Sequence, residues 1–156
     1  VRWHGAPDDP QALRRNQASR RLLALADTFV ARTAARKTRA SQSAVKAVKT
    51  MILNAQGDAL GVGSAMAQAV GFYPPGTYVQ LLNGETAVSV KRGQRANMPW
   101  VITIADKDGM PTVKYQCKDT SEPGLAIASP VNFEAIKVTV NLERVRRARE
   151  RIPARV

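Results

Sequence analysis

The chain is poor in the residues that most often carry chemistry. Its 156 residues include one histidine, His4, and one cysteine, Cys117. A lone cysteine cannot close an internal disulfide, which fits a reducing, cytoplasmic setting. Cys117 also falls in an alternating pattern and reads as a packed thiol rather than a nucleophile. No C-x-x-C, H-E-x-x-H, G-x-x-x-x-G-K or G-x-S-x-G occurs, nor a His-Asp dipeptide, so the common zinc, phosphate-loop and serine-hydrolase signatures are excluded. "GVGSAMAQAVG" holds a G-x-G, but inside a helical stretch, where small residues serve helix packing. No apolar run approaches the roughly 18 residues of a membrane span. "VRWHGAPDDP" has neither an apolar h-region nor a small-residue cleavage site, so no secretory signal is predicted. The first residue is Val1 and not Met, as expected of a processed or truncated chain.

What the chain has in excess is positive charge. The net charge is +12, and it is unevenly spread. Residues 1–71 carry 11 Lys/Arg against 4 Asp/Glu, residues 72–141 carry 7 against 6, and residues 142–156 carry 6 against 2. A nucleic-acid module concentrates its positive field on the docking surface. Here the middle segment is nearly neutral, and Phe72, Tyr73 and Tyr78 have few basic neighbours. The hydrophobic share of 44% is ordinary for a globular protein and argues against wholesale disorder.

Periodicity divides the chain. "HGAPDDPQ" reads as a loop. Leu22, Leu25, Ala26 and Phe29 recur at i, i+3, i+4 and i+7, predicting a helix over residues 18–35 with Asp27 on the flank of its apolar stripe. "TAARKTRAS" reads as a basic connector. Ser41 or Ser43 is placed to cap a second helix carrying Val45, Val48, Ile52 and Ala55. Gly57 suits its C-terminal cap, and Asp58 opens a third helix running to Val70 and ended by Gly71. From Tyr73 the period changes from 3.6 to 2. Pro74 and Pro75 lack backbone donors and turn the chain into a strand. Val79 and Leu81, then Val88 and Val90 across Asn83–Gly84, predict a tight hairpin. Trp100, Ile102 and Ile104 predict a third strand, turned by "DKDG". Val113, Tyr115 and Cys117 predict a fourth strand, residues 119–133 a loop, and Ile136, Val138, Val140 and Leu142 a fifth strand. The expected fold is α+β. A helical segment, 1–71, precedes a small antiparallel, five-stranded, barrel-like β domain, 72–142. Residues 143–156 are expected to form a solvated basic tail, frayed or briefly helical.

From the residues alone, metal-ligand candidates reduce to His4, Asp8, Asp9 and Asp27. Four scattered residues do not make a metal centre. On the residues alone Asp27 reads first as a helix-flank carboxylate paired with Arg20 or Arg32.

"GFYPPGTYVQLLNGETAVSVKRG", residues 71–93, is similar to the segment that follows the catalytic helices of bacterial HD-GYP-type phosphohydrolases. In that family a helix ends at a Gly-hydrophobic-Tyr-Pro-x-Gly junction, followed by an alternating strand, an Asn-Gly turn and a valine-rich return strand. "RLLALADTFVARTAARKTRAS" resembles the helix before that junction, and "RANMPWVITIADKDGMP" extends the likeness into later strands. The resemblance covers most of residues 20–115 and is specific at the YPPG hairpin.

The resemblance implies the end of an HD-type helical core joined to a β appendage. It places Asp27 where the family has the last aspartate of a His/His-Asp/Asp metal cluster, and Val30 where a second aspartate usually stands. Arg36 and Arg39 match a basic pair able to face phosphate oxygens or simply to solvate the loop. His4 is a weaker match to a tandem-histidine segment, without its neighbouring glutamate. For a full-length protein the implied cofactors are divalent metal ions (Fe, Mn or Mg). The implied reaction is phosphodiester hydrolysis of a cyclic dinucleotide, typically cyclic di-GMP, in a signalling hydrolase. The implied partner is an upstream hydrolase core or sensory domain. These residues supply at most two ligands, so no catalytic residue is assigned and no turnover is expected of this chain alone. Alternatives are a degenerate regulatory or protein-interaction module, and a basic nucleic-acid-binding module. Amphipathic helices with few partners are expected to self-associate.

Overall fold

A computed structural model of the chain describes residues 10–33, 44–54 and 61–153. Three helices come first: α1 (Pro10–Thr33), α2 (Ala44–Asn54) and α3 (Val62–Val70). Their apolar stripes meet in a small core, with Val48 and Met51 buried and Leu25, Phe29, Met66 and Val70 packed around them. Leu25 and Phe29 belong to the stripe that periodicity predicts for α1. α1 begins earlier than its stripe, at Pro10, a residue suited to a first helical position. Ser41, Ser43, Gly57 and Asp58, read as helix caps and starts, lie outside the described residues, as do His4, Arg36 and Arg39.

Gly71 ends α3 with φ of +80°, a left-handed conformation that favours glycine. Its space is restricted as well: a Cβ there would sit 3.1 Å from the Ala96 carbonyl oxygen. The chain then enters a sheet of β1 (Tyr78–Leu81), β2 (Thr86–Lys91), β3 (Trp100–Ala105), β4 (Cys117–Asp119) and β5 (Ile127–Val131). All pairings are antiparallel, in the order β4-β3-β2-β1-β5. The edges β4 and β5 do not pair with each other, so the sheet is open and the barrel-like expectation is corrected. Closure would require longer, more strongly tilted edge strands than three and five residues provide.

Both faces of the sheet are covered. One carries Val88, Val90, Ile102 and Ile104, with Ile136, Val138, Val140 and Val145 packed against them. The other carries Val79, Leu81, Ala87 and Val101, with Tyr73, Leu125 and Ile127 against them. Burying each such aliphatic side chain contributes about 1.5–3 kcal/mol before ordering costs are counted.

Both β hairpins reverse with a glycine. Gly84 takes φ of +87° and donates its N–H to the Leu81 carbonyl at 2.9 Å, while the Leu81 N–H reaches the Glu85 carbonyl at 2.9 Å. Asn83 does not take positive φ, so the turn is a three-residue loop with glycine in the left-handed position, not the two-residue Asn-Gly turn expected. The DKDG turn repeats this plan. The Gly109 N–H donates to the Asp106 carbonyl at 3.0 Å, and Asp106 Oδ1 accepts from the N–H groups of Asp108 and Met110.

Three further expectations are corrected. The fourth strand is only Cys117–Asp119, because the chain bends at residues 113–114, which separates it from an isolated bridge between Pro111 and Ala105. Residues 136–140 are not a strand. They lie extended against one sheet face, and the fifth strand is Ile127–Val131, within the stretch read as a loop. The C-terminal segment is not a solvated tail, since α4 (Leu142–Arg149) packs on the sheet, burying Ala148 and, just beyond it, Ile152.

Candidate functional site

The candidate site begins on α1. Leu25 and Phe29 point into the helical core and fix the roll of the helix. Asp27 is thereby turned outward and exposed, the only acidic residue of α1. Leu23 and Val30, four residues before it and three after, share its face of the helix. They are 73% and 59% exposed. Asp27 thus stands between two uncovered aliphatic side chains. Among the described residues neither Arg20 nor Arg32 is ion-paired with it.

A metal centre needs several converging donors. Among the described residues no group of three or more His, Cys, Asp or Glu is placed to hold one. Among the described residues Asp27 is a single carboxylate outside any group of three or more such ligands, so they do not fit a binuclear metal site. The structure does not bring Asp27 together with His4, Arg36 or Arg39, which lie outside the described residues. The resemblance singles out Val30 but not Leu23. Their signal was available: two aliphatic residues seven apart, bracketing the helix's only acid and lying off its core stripe.

The second part of the site is the junction that carries the helices into the sheet. Ser89, in the middle of β2, is fully buried. Its hydroxyl donates to the Tyr73 carbonyl at 2.8 Å, its N–H donates to the Thr77 carbonyl at 2.8 Å, and its own carbonyl accepts from the Gly76 N–H at 2.8 Å. The Phe72 N–H donates to the Ala96 carbonyl at 2.8 Å. Pro74 and Pro75 offer no N–H, so these bonds hold the parts of the turn that can be held. Close by, the Nε of Arg92 is buried without a hydrogen-bond partner. Gly93 admits no side chain at all, since a Cβ would fall 1.8 Å from the Met98 carbonyl oxygen.

Two titratable groups elsewhere have settled roles. Burial alone would raise the Glu85 carboxyl, but hydrogen bonds from Lys118 and Asn83 outweigh it and hold the group below its ordinary range. This pair, at 2.5 Å, ties the first hairpin loop to β4. Burial, helped by the Asp119 charge, raises the Cys117 thiol, which keeps thiolate scarce near neutrality.

No family model matches the chain, and neither a curated protein nor a solved structure matches it. No helix among the described residues is long and apolar enough to cross a membrane.

Proposed function

We propose that this chain is the C-terminal portion of a metal-dependent HD-type phosphohydrolase of the cyclic-dinucleotide phosphodiesterase kind, and that it has no turnover by itself. The observation that carries this reading is the outward face of α1, where Leu23 and Val30 are uncovered on either side of Asp27. Further helices of an HD-type core, laid on those two side chains, would bury them and surround Asp27 with the donors it lacks. Burial of an aliphatic pair drives such packing without directional requirements. The braced junction at residues 71–77 supports the same reading, because it carries the end of that core rigidly into the sheet. Asp27 would serve as one oxygen ligand among several, and the metal would supply an activated water for attack at phosphorus.

The test is to incubate the chain with Mn²⁺ and cyclic di-GMP, and then to repeat the assay with the upstream segment supplied. The expected result is linear dinucleotide only in the second case, abolished by Asp27→Asn. Hydrolysis by the chain alone, lost in Asp27→Asn, would contradict the proposal. A second reading is a regulatory module without chemistry of its own. It is favoured by Val30, which removes a second carboxylate from the same helix face. In that case the upstream segment binds the chain but Asp27→Asn leaves every activity unchanged.

A further inference from the structure

α4 combines a fixed anchorage with a surface that its anchorage does not explain. Asn141 caps the helix, its Oδ1 accepting the Arg144 N–H at 3.0 Å, and its own N–H donates to the Tyr115 hydroxyl at 3.1 Å. Val145, Ala148 and Ile152 face the sheet, and the Lys91 ammonium donates to the Pro153 carbonyl at 2.8 Å. The helix is therefore held at both ends and along one side. Arg144, Arg147 and Arg151 are exposed along one flank of the helix and Arg146 and Arg149 along the other, with Glu143 and Glu150 on the outermost side between them.

Solubility does not account for five arginines, because any polar residues would solvate this face. The helix dipole favours Glu143 in the first turn and cations in the last, yet it disfavours Arg144 near the start. Like charges at Arg144/Arg147 and Arg146/Arg149, three residues apart, repel one another along the helix. Of these five arginines, among the described residues, Arg146 alone has an ion pair, with Glu143 at 4.0 Å and both side chains about three-quarters exposed. None of the basic residues from 142 onward is lysine. Guanidinium offers the planar, forked donors that match phosphate oxygens two at a time.

We propose that the Arg144/Arg147/Arg151 flank of α4 docks the phosphodiester backbone of duplex nucleic acid, without base recognition. A membrane surface fits less well, because the apolar side of α4 is already spent on the sheet and cannot enter lipid. Single strands fit less well, because α4 presents no aromatic side chain on which bases could stack. An acidic protein would meet the same charge, but a duplex presents about one negative charge per 1.7 Å of its axis, the denser complement to closely spaced arginines. Packing on the sheet fixes these side chains' origins in advance, which lowers the ordering cost of docking.

The experiment uses the full chain, a fluorescein-labelled 20-base-pair duplex of arbitrary sequence, and a labelled poly-glutamate peptide, read by anisotropy from 50 to 200 mM salt. The duplex is expected to bind with a steep salt dependence and in preference to the peptide. Each phosphate contact contributes a slope of about 0.9. The triple variant Arg144→Gln/Arg147→Gln/Arg151→Gln should flatten the slope by about 2.7, so that it loses about 40-fold less affinity across that salt range. Far-UV circular dichroism checks that α4 is retained. Should the triple variant unfold, Arg147→Gln alone should flatten the slope by about 0.9. An unchanged slope in a folded variant would overturn the proposal, as would absent duplex binding at 50 mM salt. Equal or tighter binding of poly-glutamate would overturn it in favour of an acidic protein partner.

Discussion

Single residues at the helix–sheet junction carry constraints out of proportion to their size. Ser89 bonds to three backbone groups of residues 73–77 through its hydroxyl, N–H and carbonyl. Ser89→Ala keeps the two backbone bonds and removes the third, leaving the Tyr73 carbonyl short of a donor. The expected loss is about 1–2 kcal/mol in urea denaturation. Gly93→Ala should cost more, about 3 kcal/mol, because the added carbon meets backbone and not a movable side chain. Glu85 gives a pH-dependent prediction. Its folded-state pKa lies below the unfolded value, so its contribution is present above about pH 4.3 and is lost as pH falls through the folded value. Glu85→Gln should therefore reduce stability by about 0.5–1 kcal/mol at pH 7, the screened worth of a half-buried pair. The difference should shrink progressively as pH falls below about 4.3, as read from melts at pH 7 and at a series of acid pH values. Of these three residues none stands out in the sequence. A serine inside a valine-rich strand, or a glycine after a basic pair, gains meaning only from the distant carbonyl it faces.

At the scale of elements, period-2 alternation proved to report burial rather than pairing. Ile136, Val138 and Val140 alternate as a strand would, and alternate residues are indeed half-buried against the sheet face. They make no ladder, because that stretch crosses over the sheet rather than lying beside an edge. β5 is the converse case. Ala128, Ser129 and Pro130 are exposed, and the strand exists because its backbone pairs with β1. Nothing in its side chains announces this. Pro130 suits the position, since an edge strand can spare a donor. For α4, the sparse apolar positions Val145 and Ile152 looked too few to anchor a helix, but Ala148 completes the contact. Asn141→Ala should destabilise the fold by about 1 kcal/mol through the lost cap. Ile152→Ala should cost about 2–4 kcal/mol through a cavity beside Val90 and Ile104. A frayed tail would show neither effect in thermal melts, so the pair of variants tests whether α4 belongs to the core.

The whole molecule pairs a well-covered sheet with thinly covered helices. Among the described residues, the sheet buries apolar residues on both faces, whereas the helical core gathers a handful of side chains and leaves Leu22, Leu23, Val30 and Leu53 exposed. The chain is expected to self-associate through α1 at micromolar concentrations. Leu23→Glu should shift it toward monomer in sedimentation velocity without lowering the melting temperature of the sheet. A monodisperse monomer for the parent chain would count against α1 as a packing surface, and so against the function proposed above.

The sequence by itself determined the change of period at Tyr73, the helices before it, the hairpins and the α+β class. Each of these follows from residues within a few positions of one another: spacing, proline, and glycine where the backbone needs positive φ. Tertiary structure alone decided that the sheet stays open, that β5 and not residues 136–140 completes it, and that the basic C-terminal segment belongs to the core. Those outcomes depend on which distant surface offers the better burial and the free backbone donors, a competition that local pattern does not encode.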